Sequence, residues 1–329
     1  MNTELSRLFG LTVPVIAAPM AGVADARLAI AVSRAGALGC IGIGSTRTAQ
    51  WVDEQVARAA EANIPFGVGF MGWALDHDAA PFDAALAANP ALVSISFADP
   101  IDDLGRWVGR ARAAGAVVAV QIGTIAEAVS AERIGASLIV ARGSEAGGHG
   151  RNDVATLPLL QEVLETVHPP VLAAGGISGS RGLAAVLAAG AAGAWVGTAF
   201  AGCIEATSSP AARQAMSGAR ATDTRHTRIF DIAQQLDWPR VFGGRALEND
   251  FTAAWADRPD LLQSAITAPE TESAATISAG MARALGVADV RTAPVYCGQG
   301  VSRIHIDVPA SDVVAEFARA TELLRSAAS

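Results

Sequence analysis

The chain contains no lysine, so all 24 of its basic residues are arginines. Mechanisms that need a Schiff-base lysine or the lysine of a phosphate-binding P-loop are therefore excluded. Cysteine is also scarce, because Cys40, Cys203 and Cys297 are odd in number and far apart. This pattern indicates a reducing compartment rather than a disulfide framework. No cysteine has metal-ligand spacing to a histidine, so we expect no metal site.

Charge and hydropathy limit the partners that the chain can have. With a net charge of −8 and no evident basic patch, the protein would repel a phosphodiester backbone. The first residues, MNTELSRLFG, lack the basic flank and apolar run of a signal peptide. Residues 182–204 are uncharged and long enough to span a bilayer, but their glycines predict a helix, a turn and a strand instead. We expect a cytoplasmic protein with no nucleic-acid partner and no membrane partner.

Eight short apolar runs recur along the first 200 residues, separated by alanine-rich segments with helical periodicity. Strands that are apolar throughout are buried on both faces, as parallel strands covered by helices must be. Strict alternation with eight strands predicts an α/β fold, the (β/α)8 TIM barrel. The runs are residues 13–19, 37–45, 65–70, 92–97, 117–123, 137–143, 170–176 and 193–197.

The alternating pattern stops after Cys203. Residues 211–290 hold no comparable strand, which predicts a smaller, mainly helical inserted domain on the substrate side of the barrel. An amphipathic helix over 311–324 then supplies the eighth helix. The predicted domains are a barrel of residues 1–210 and 291–329 and an insertion of residues 211–290.

Three of the strands end in glycine-rich segments, at residues 137–151, 170–178 and 193–200. Glycines at the end of a parallel strand leave backbone N–H groups free to hold a phosphate. Earlier strand ends offer Met20, Phe70, Met71 and nearby Trp73, a flat apolar surface suited to an aromatic ring system. A phosphate site beside a flat apolar slot predicts flavin mononucleotide (FMN), with His149 close by.

Five segments carry a family resemblance: AAPMAGVAD (17–25), ARGSEAGGHGR (141–151), LAAGGIS (172–178), WVGTAF (195–200) and GQG (298–300). Together and in this order they resemble the nitronate monooxygenase family, once called 2-nitropropane dioxygenases. The resemblance implies an FMN-bearing TIM barrel that oxidises alkyl nitronates or nitroalkanes with O2 to a carbonyl compound and nitrite. Its partners would be a small-molecule substrate and O2, and a homodimer is left open.

The resemblance also implies the residues of the site. His149 is the expected catalytic group, either as a hydrogen-bond donor to the nitronate or as the base that deprotonates a neutral nitroalkane. The expected cofactor-binding residues are Pro19, Met20, Ala21, Gly22, Gly69, Gln121, Ala141, Arg142, Gly147, Gly148, Ala174, Gly175, Gly176, Gly197, Thr198 and Gln299.

Two positions depart from the family pattern. Many relatives have an asparagine where this chain has Gly69, and some have a lysine by the flavin where it has Gln121. Loss of that cation leaves Arg142 or backbone amides to stabilise negative charge on the flavin. Glu145 is expected to form a loop salt bridge with Arg142 or Arg151, and the four other histidines are expected to be exposed or hydrogen-bonded.

Two alternative functions remain open at this point. An NAD(P)H-dependent flavin reductase, acting on a quinone or an enoyl-acyl-carrier protein, shares this scaffold and a similar loop. It would need a second anion site, for which the insertion offers Arg225, Arg228, Arg240 and Arg245. A non-catalytic flavin- or phosphate-binding protein is the other alternative, if the two departures disable turnover.

Overall fold

A computed structural model describes residues 1–267 and 272–328. Its strands are β1 (Val15–Ala17), β2 (Cys40–Gly42), β3 (Gly67–Met71), β4 (Leu92–Ser96), β5 (Val117–Ile122), β6 (Leu138–Arg142), β7 (Gly148–Gly150), β8 (Val171–Ala174), β9 (Gly193–Val196), β10 (Thr224–Thr227) and β11 (Gly243–Leu247). Eight of them form one parallel sheet in the order β1-β9-β8-β6-β5-β4-β3-β2. A parallel bridge between Ile16 and Leu38 joins the two ends of this order. All eight predicted strands and the TIM barrel are thereby confirmed.

Helices follow the barrel strands and cover the outside of the sheet. The α-helices are α1 (Glu4–Phe9), α2 (Ala26–Arg34), α3 (Ala49–Glu61), α4 (Gly72–Leu75), α5 (Ala80–Ala87), α6 (Gly105–Ala113), α7 (Ile125–Arg133), α8 (Thr156–Thr166), α9 (Ser180–Ala188), α10 (Thr198–Ala201), α11 (Pro210–Ser217), α12 (Ile229–Gln234), α13 (Asp250–Trp255), α14 (Pro259–Thr267), α15 (Glu272–Gly286), α16 (Ala310–Ala318) and α17 (Ala320–Ala328). Short 3-10 helices span Ile101–Leu104, Ala221–Asp223 and Gln299–Arg303.

The barrel strands bury both faces, as their uninterrupted apolar runs predict. Alternate residues such as Ile16, Leu172 and Trp195 fill the interior of the barrel, while their neighbours pack outward against the helices. Leu5 of α1 belongs to the interior cluster and lies against Gly193, at the N-terminal end of β9. Because side chains fill the interior and α1 covers its N-terminal end, the C-terminal mouth is the place where a ligand can bind.

The insertion contains more than helices. Sequence analysis predicted no strand in residues 211–290 comparable to those of the barrel, and the two strands found there, β10 and β11, pair with each other and with β7 in a separate antiparallel sheet. β10 reads Thr-Arg-His-Thr and β11 begins with Gly243, Gly244 and Arg245, so their sequence lacks the apolar run of a barrel strand. The division into a barrel and an insertion at residues 211 and 290 stays a prediction.

The remaining helices follow the expected order with one difference. The last predicted helix is two helices, because α16 ends at Ala318 and α17 begins at Ala320. α16 contacts both α2 and α9, so it lies where the eighth helix of the barrel belongs. Residues 182–204 form most of α9, then β9 and α10, as expected. Among the residues that the structure describes, no helix is long and apolar enough to cross a membrane.

Candidate active site

The glycine-rich strand ends meet at the C-terminal mouth of the barrel, where residues 298–300 connect them. The Gly298 N–H donates to the Thr198 hydroxyl over 2.9 Å, and the Gln299 N–H donates to the Glu145 carbonyl over 2.9 Å. A side chain on Gly147 would collide with the backbone of residues 297 and 298. The segments quoted for the family resemblance are therefore neighbours in space.

Gly175 and Gly176 form the part of this mouth that suits a phosphate. Their φ angles are +120° and +70°, a region that residues with a Cβ rarely adopt. Turns of this kind aim backbone N–H groups into a concavity that holds an anion. Gly197 lies beside them with ordinary space around it, since an added Cβ would lie 3.5 Å from the Met20 Sδ. This glycine cradle fits the phosphate of a mononucleotide.

The predicted apolar slot is divided between two places. Phe70, Met71 and Trp73 line a cavity of about 230 Å³, together with residues 235–237 of the insertion. Met20 is not in the lining of this cavity but lies against Gly197. Met20 therefore borders the glycine cradle, whereas the other three side chains face the insertion.

The two departures from the family pattern have clear positions in the structure. A Cβ on Gly69 would overlap the ring of Pro19, so glycine lets β3 approach Pro19 and leaves no room there for asparagine. Gln121 lies near the end of β5, and its N–H donates to the Ser96 hydroxyl over 2.9 Å. In the described ranges its side-chain amide has no hydrogen-bond partner, so this amide is available to a ligand.

Arg142 binds the glycine loop from within. Its guanidinium donates to the carbonyls of Arg151, Ala146 and Gly148 over 2.7, 2.9 and 2.8 Å, and the residue is 2% exposed. Burial, together with repulsion from Arg245, lowers the pKa of Arg142 to about 9, so it remains a cation at neutral pH. Arg142 thus holds loop 143–151 in shape, with both terminal nitrogens of its guanidinium bound to backbone carbonyls of the protein. Its predicted role in binding the cofactor stays a prediction.

The expected salt bridge from Glu145 to Arg142 or Arg151 is wrong. The Glu145 carboxylate accepts from the Thr156 N–H over 3.1 Å and lies against Gly176. Arg151 instead pairs with Glu127 at 2.5 Å and with Asp99 at 3.2 Å. This hydrogen bond holds Glu145 beside the cradle. The start of α8 suits a carboxylate, because the helix dipole stabilises negative charge at a helix N-terminus.

His149 lies in β7 and is held by the insertion on several sides. Its Nε2 is 2.8 Å from the Asp231 Oδ1, and the side chains of His149 and Asp231 are 12% and 3% exposed. Trp238 stacks on the imidazole with ring centroids 3.8 Å apart and an angle of 3° between the planes. The Tyr296 ring lies 5.2 Å away on another side. His149 is therefore a fixed group with a buried carboxylate partner.

Backbone pairing fixes the same histidine. His149 is paired with Gly244 of β11, where an added Cβ would collide with Tyr296 and approach the imidazole to 3.4 Å. Arg245 strengthens this junction, since its side chain donates to the Ser144 carbonyl over 2.8 Å and to the Asn152 side chain over 2.9 Å. The insertion thus positions the catalytic candidate rather than merely covering it.

The other predicted cofactor-binding residues differ in how far they are exposed. Ala21 and Gly22 are exposed beside the mouth, whereas Ala141 has no exposed surface and packs between the sheet and the helices. Ala174 is buried in the barrel interior. Burial raises the pKa of Cys297 to about 12, so its thiol stays protonated and is no nucleophile.

The expectation for the four other histidines is confirmed. His226 is bound to the Gly150 carbonyl at 2.9 Å, and burial is the main cause of its lowered pKa. His168 is 2.9 Å from a Glu132 carboxylate oxygen. His77 and His305 are exposed.

Sequence analysis missed three residues around His149, namely Asp231, Trp238 and Tyr296. All three lie far from residue 149 in the chain, and no local motif connects them to it. One signal was available: Asp231 stands between Phe230 and Ile232 in an apolar run of α12, which is where a carboxylate is buried only with a partner.

Comparisons with known proteins agree with this geometry. The family model described as nitronate monooxygenase matches residues 2–81 and 76–319. A nitronate monooxygenase of Pseudomonas aeruginosa is 31% identical over 343 residues, covering 82% of this chain and 97% of that relative.

Two solved structures have the same fold over the full chain. A nitroalkane oxidase from Streptomyces ansochromogenes superposes with a TM-score of 0.79 at 29% identity, covering 99% of each chain. FabK from Thermotoga maritima superposes with a TM-score of 0.81 at 24% identity, again over 99% of each chain. The second likeness shows the fold alone. Because the family model covers nearly the whole chain and its relatives share the fold, the chain belongs to the nitronate monooxygenase family and is an oxidoreductase.

Proposed function

We propose that this enzyme uses FMN to oxidise alkyl nitronates or nitroalkanes with O2, giving a carbonyl compound and nitrite. One observation carries the proposal: His149 is fixed at the barrel mouth by the same loop that packs against the glycine cradle. The cradle suits the phosphate of a mononucleotide, and the histidine lies in the same loop as the residues that contact it. The family membership supports the reaction class.

The residues present fit FMN. Gly175, Gly176 and Gly197 would hold its phosphate through backbone N–H groups, and Thr198 and Gln299 border the same cradle. Pro19 and Met20 would contact the ring system, and the unbonded amide of Gln121 would hydrogen-bond its polar edge. When bound, FMN supplies the electron acceptor that the oxidation requires.

The chain itself handles the substrate and its proton. Imidazole suits this task because its ordinary pKa is about 6.5, close to working pH. Trp238, Phe97 and Phe242 form an aromatic cluster beside His149, in which the ring centroids of Trp238 and Phe97 are 5.1 Å apart and those of Phe97 and Phe242 are 5.8 Å apart. Trp238 and Phe242 are buried, and the partly exposed Phe97 gives the cluster an apolar surface. Such a surface favours the apolar carbon chain of an alkyl nitronate over a charged substituent.

The contacts of two arginines in the insertion argue against the alternative function, an NAD(P)H-dependent reductase. Arg225 pairs with Asp257 and lies 3.6 Å from the Glu248 carboxylate, and Arg245 is buried with its donors bound to residues 144, 152 and 224. Two of the four arginines that could anchor a second pyrophosphate are therefore already committed. A small nitronate needs no such anchor.

Replacing Gly197 tests the proposal, because an added Cβ would meet its nearest atom, the Met20 Sδ, at an ordinary contact distance of 3.5 Å, at a strand end that we propose holds the phosphate. We expect the purified protein to be yellow, to release FMN and not FAD on denaturation, and to form nitrite from an alkyl nitronate. The Gly197→Val chain should fold yet bind no flavin and form no nitrite. Gly218→Val, at a site with nothing within 4 Å, is the matched control. A colourless protein that cannot be reconstituted with FMN would contradict the proposal.

Gly176 is a poorer test position. Its φ of +70° strains any residue with a Cβ, and a side chain there would collide with the Glu145 carboxylate. A substitution at Gly176 would therefore disturb the fold and the cradle together.

A further inference from the structure

The ring of His149 has two unlike nitrogens. Nε2 lies 2.8 Å from a carboxylate oxygen of Asp231, deep in the insertion. Nδ1 has no hydrogen-bond partner in the described part of the chain, and it is not among the buried unpartnered atoms there. Nδ1 is therefore the nitrogen that reaches the open side of the ring.

The carboxylate decides which nitrogen carries the proton of the neutral ring. An ionised carboxylate accepts hydrogen bonds and cannot donate them, so the short contact requires a proton on Nε2. A neutral imidazole has only one N–H, which leaves a lone pair on Nδ1. The contact between His149 and Asp231 thus prepares Nδ1 as a proton acceptor.

We propose that Asp231 is a positioning residue, which holds His149 in the tautomer with the proton on Nε2 so that Nδ1 can deprotonate a neutral nitroalkane. The inference rests on the proposed function and adds to it the residue that sets which nitrogen of His149 is free to take up the proton. It joins one residue of the barrel loop to one residue of the insertion, 82 positions apart in the chain.

The proton step balances within these groups. The bond between the α-carbon of the nitroalkane and its hydrogen breaks, and the proton moves to the lone pair of Nδ1. The electron pair of that bond forms the C=N bond of the nitronate, and the negative charge moves onto the nitro oxygens. His149 becomes an imidazolium, which the buried Asp231 carboxylate stabilises as a directly bonded counter-ion.

The surroundings of the ring favour this arrangement. Trp238 covers one face of His149 at 3.8 Å, and a cation over an indole face is stabilised when it is shielded from water. The second carboxylate oxygen of Asp231, Oδ2, is buried and has no hydrogen-bond partner. In the described part of the chain, the Asp231 carboxylate forms no ion pair besides the one with His149. The positive charge that forms on His149 is therefore the one that balances the negative charge of Asp231.

Asp231→Asn in the FMN-loaded enzyme tests the proposal with two substrates. The amide has the shape of the carboxylate but can donate to Nε2, which favours the tautomer with the proton on Nδ1. We expect the rate with a neutral nitroalkane to fall by ~10²–10⁴-fold, as for loss of a general base. The rate with the preformed nitronate should change less than about tenfold, because that substrate has already lost its proton. Asp250→Asn, an exposed aspartate of the same insertion, is the matched control.

A second measurement is made on the unaltered dyad and uses a variant only to assign the signal. Histidine labelled with ¹⁵N, assigned by comparison with the His149→Asn spectrum, should show a protonated Nε2 and an unprotonated Nδ1 in the neutral ring. An Nδ1-protonated ring, or equal losses on both substrates in Asp231→Asn, would overturn the proposal. Absence of nitrite from the unaltered enzyme with either substrate would refute the proposed function instead.

Discussion

A His149→Asn enzyme is expected to lose ~10²–10⁴-fold of its rate on neutral nitroalkanes, which is the usual cost of removing a positioned acid–base group. Asparagine has no group that can take up a proton at neutral pH, so deprotonation of the substrate is lost. A preformed nitronate should remain a substrate, because its reaction needs no base. The measurement is nitrite formation from both forms of the same nitroalkane at equal FMN content.

Two comparisons make this result interpretable. His168→Asn removes an exposed histidine that contacts Glu132, and it should leave both rates unchanged. If both substrates lost equally in His149→Asn, the imidazole would act as a hydrogen-bond donor to the nitronate. If neither rate changed while FMN stayed bound, the assignment of His149 as a catalytic residue would be wrong.

An Arg142→Met chain is expected to be about 3–5 kcal/mol less stable than the unaltered protein, which is a large part of the stability of a typical domain. Methionine can fill the space of the side chain, but it leaves the partly buried carbonyls of Ala146, Gly148 and Arg151 without their donor. Each buried carbonyl that loses its partner costs about 1–3 kcal/mol. Relief from burying an unpaired cation offsets part of this loss.

Urea unfolding at a fixed FMN concentration measures this difference. Arg34→Met, an exposed arginine on α2, serves as the control and should change the free energy of unfolding by less than about 0.5 kcal/mol. An Arg142→Met protein as stable as the control would show that the guanidinium does not hold the loop.

Periodicity was sufficient to predict the barrel. Eight apolar runs of the right length matched β1–β6, β8 and β9, because strands buried on both faces leave an uninterrupted apolar signal. β10 and β11 leave no such signal, since β10 consists of polar residues and β11 begins with two glycines and an arginine. Their partner β7 consists of Gly148, His149 and Gly150, which no propensity marks as a strand.

Part of the candidate site could also be predicted from the sequence, and part of it could not. The glycine cradle could be predicted because left-handed turns at strand ends demand glycine, which is visible in the sequence at Gly175 and Gly176. The partner of His149 could not, because Asp231 reaches it through a contact between the barrel loop and the insertion. The role of Arg142 could not be predicted either, because the sequence alone does not distinguish an arginine that binds backbone carbonyls from one that binds a ligand.

Anaerobic mixing of the FMN-loaded enzyme with each reductant tests the central claim most directly. A nicotinamide must stack on the flavin and be anchored by its own pyrophosphate, whereas an alkyl nitronate needs only the surface beside His149. The proposed function predicts that an alkyl nitronate bleaches the flavin absorbance within the time of one turnover, while NADH and NADPH leave the flavin largely oxidised. Rapid bleaching by a pyridine nucleotide, with none by the nitronate, would contradict the claim and assign the enzyme to the reductases.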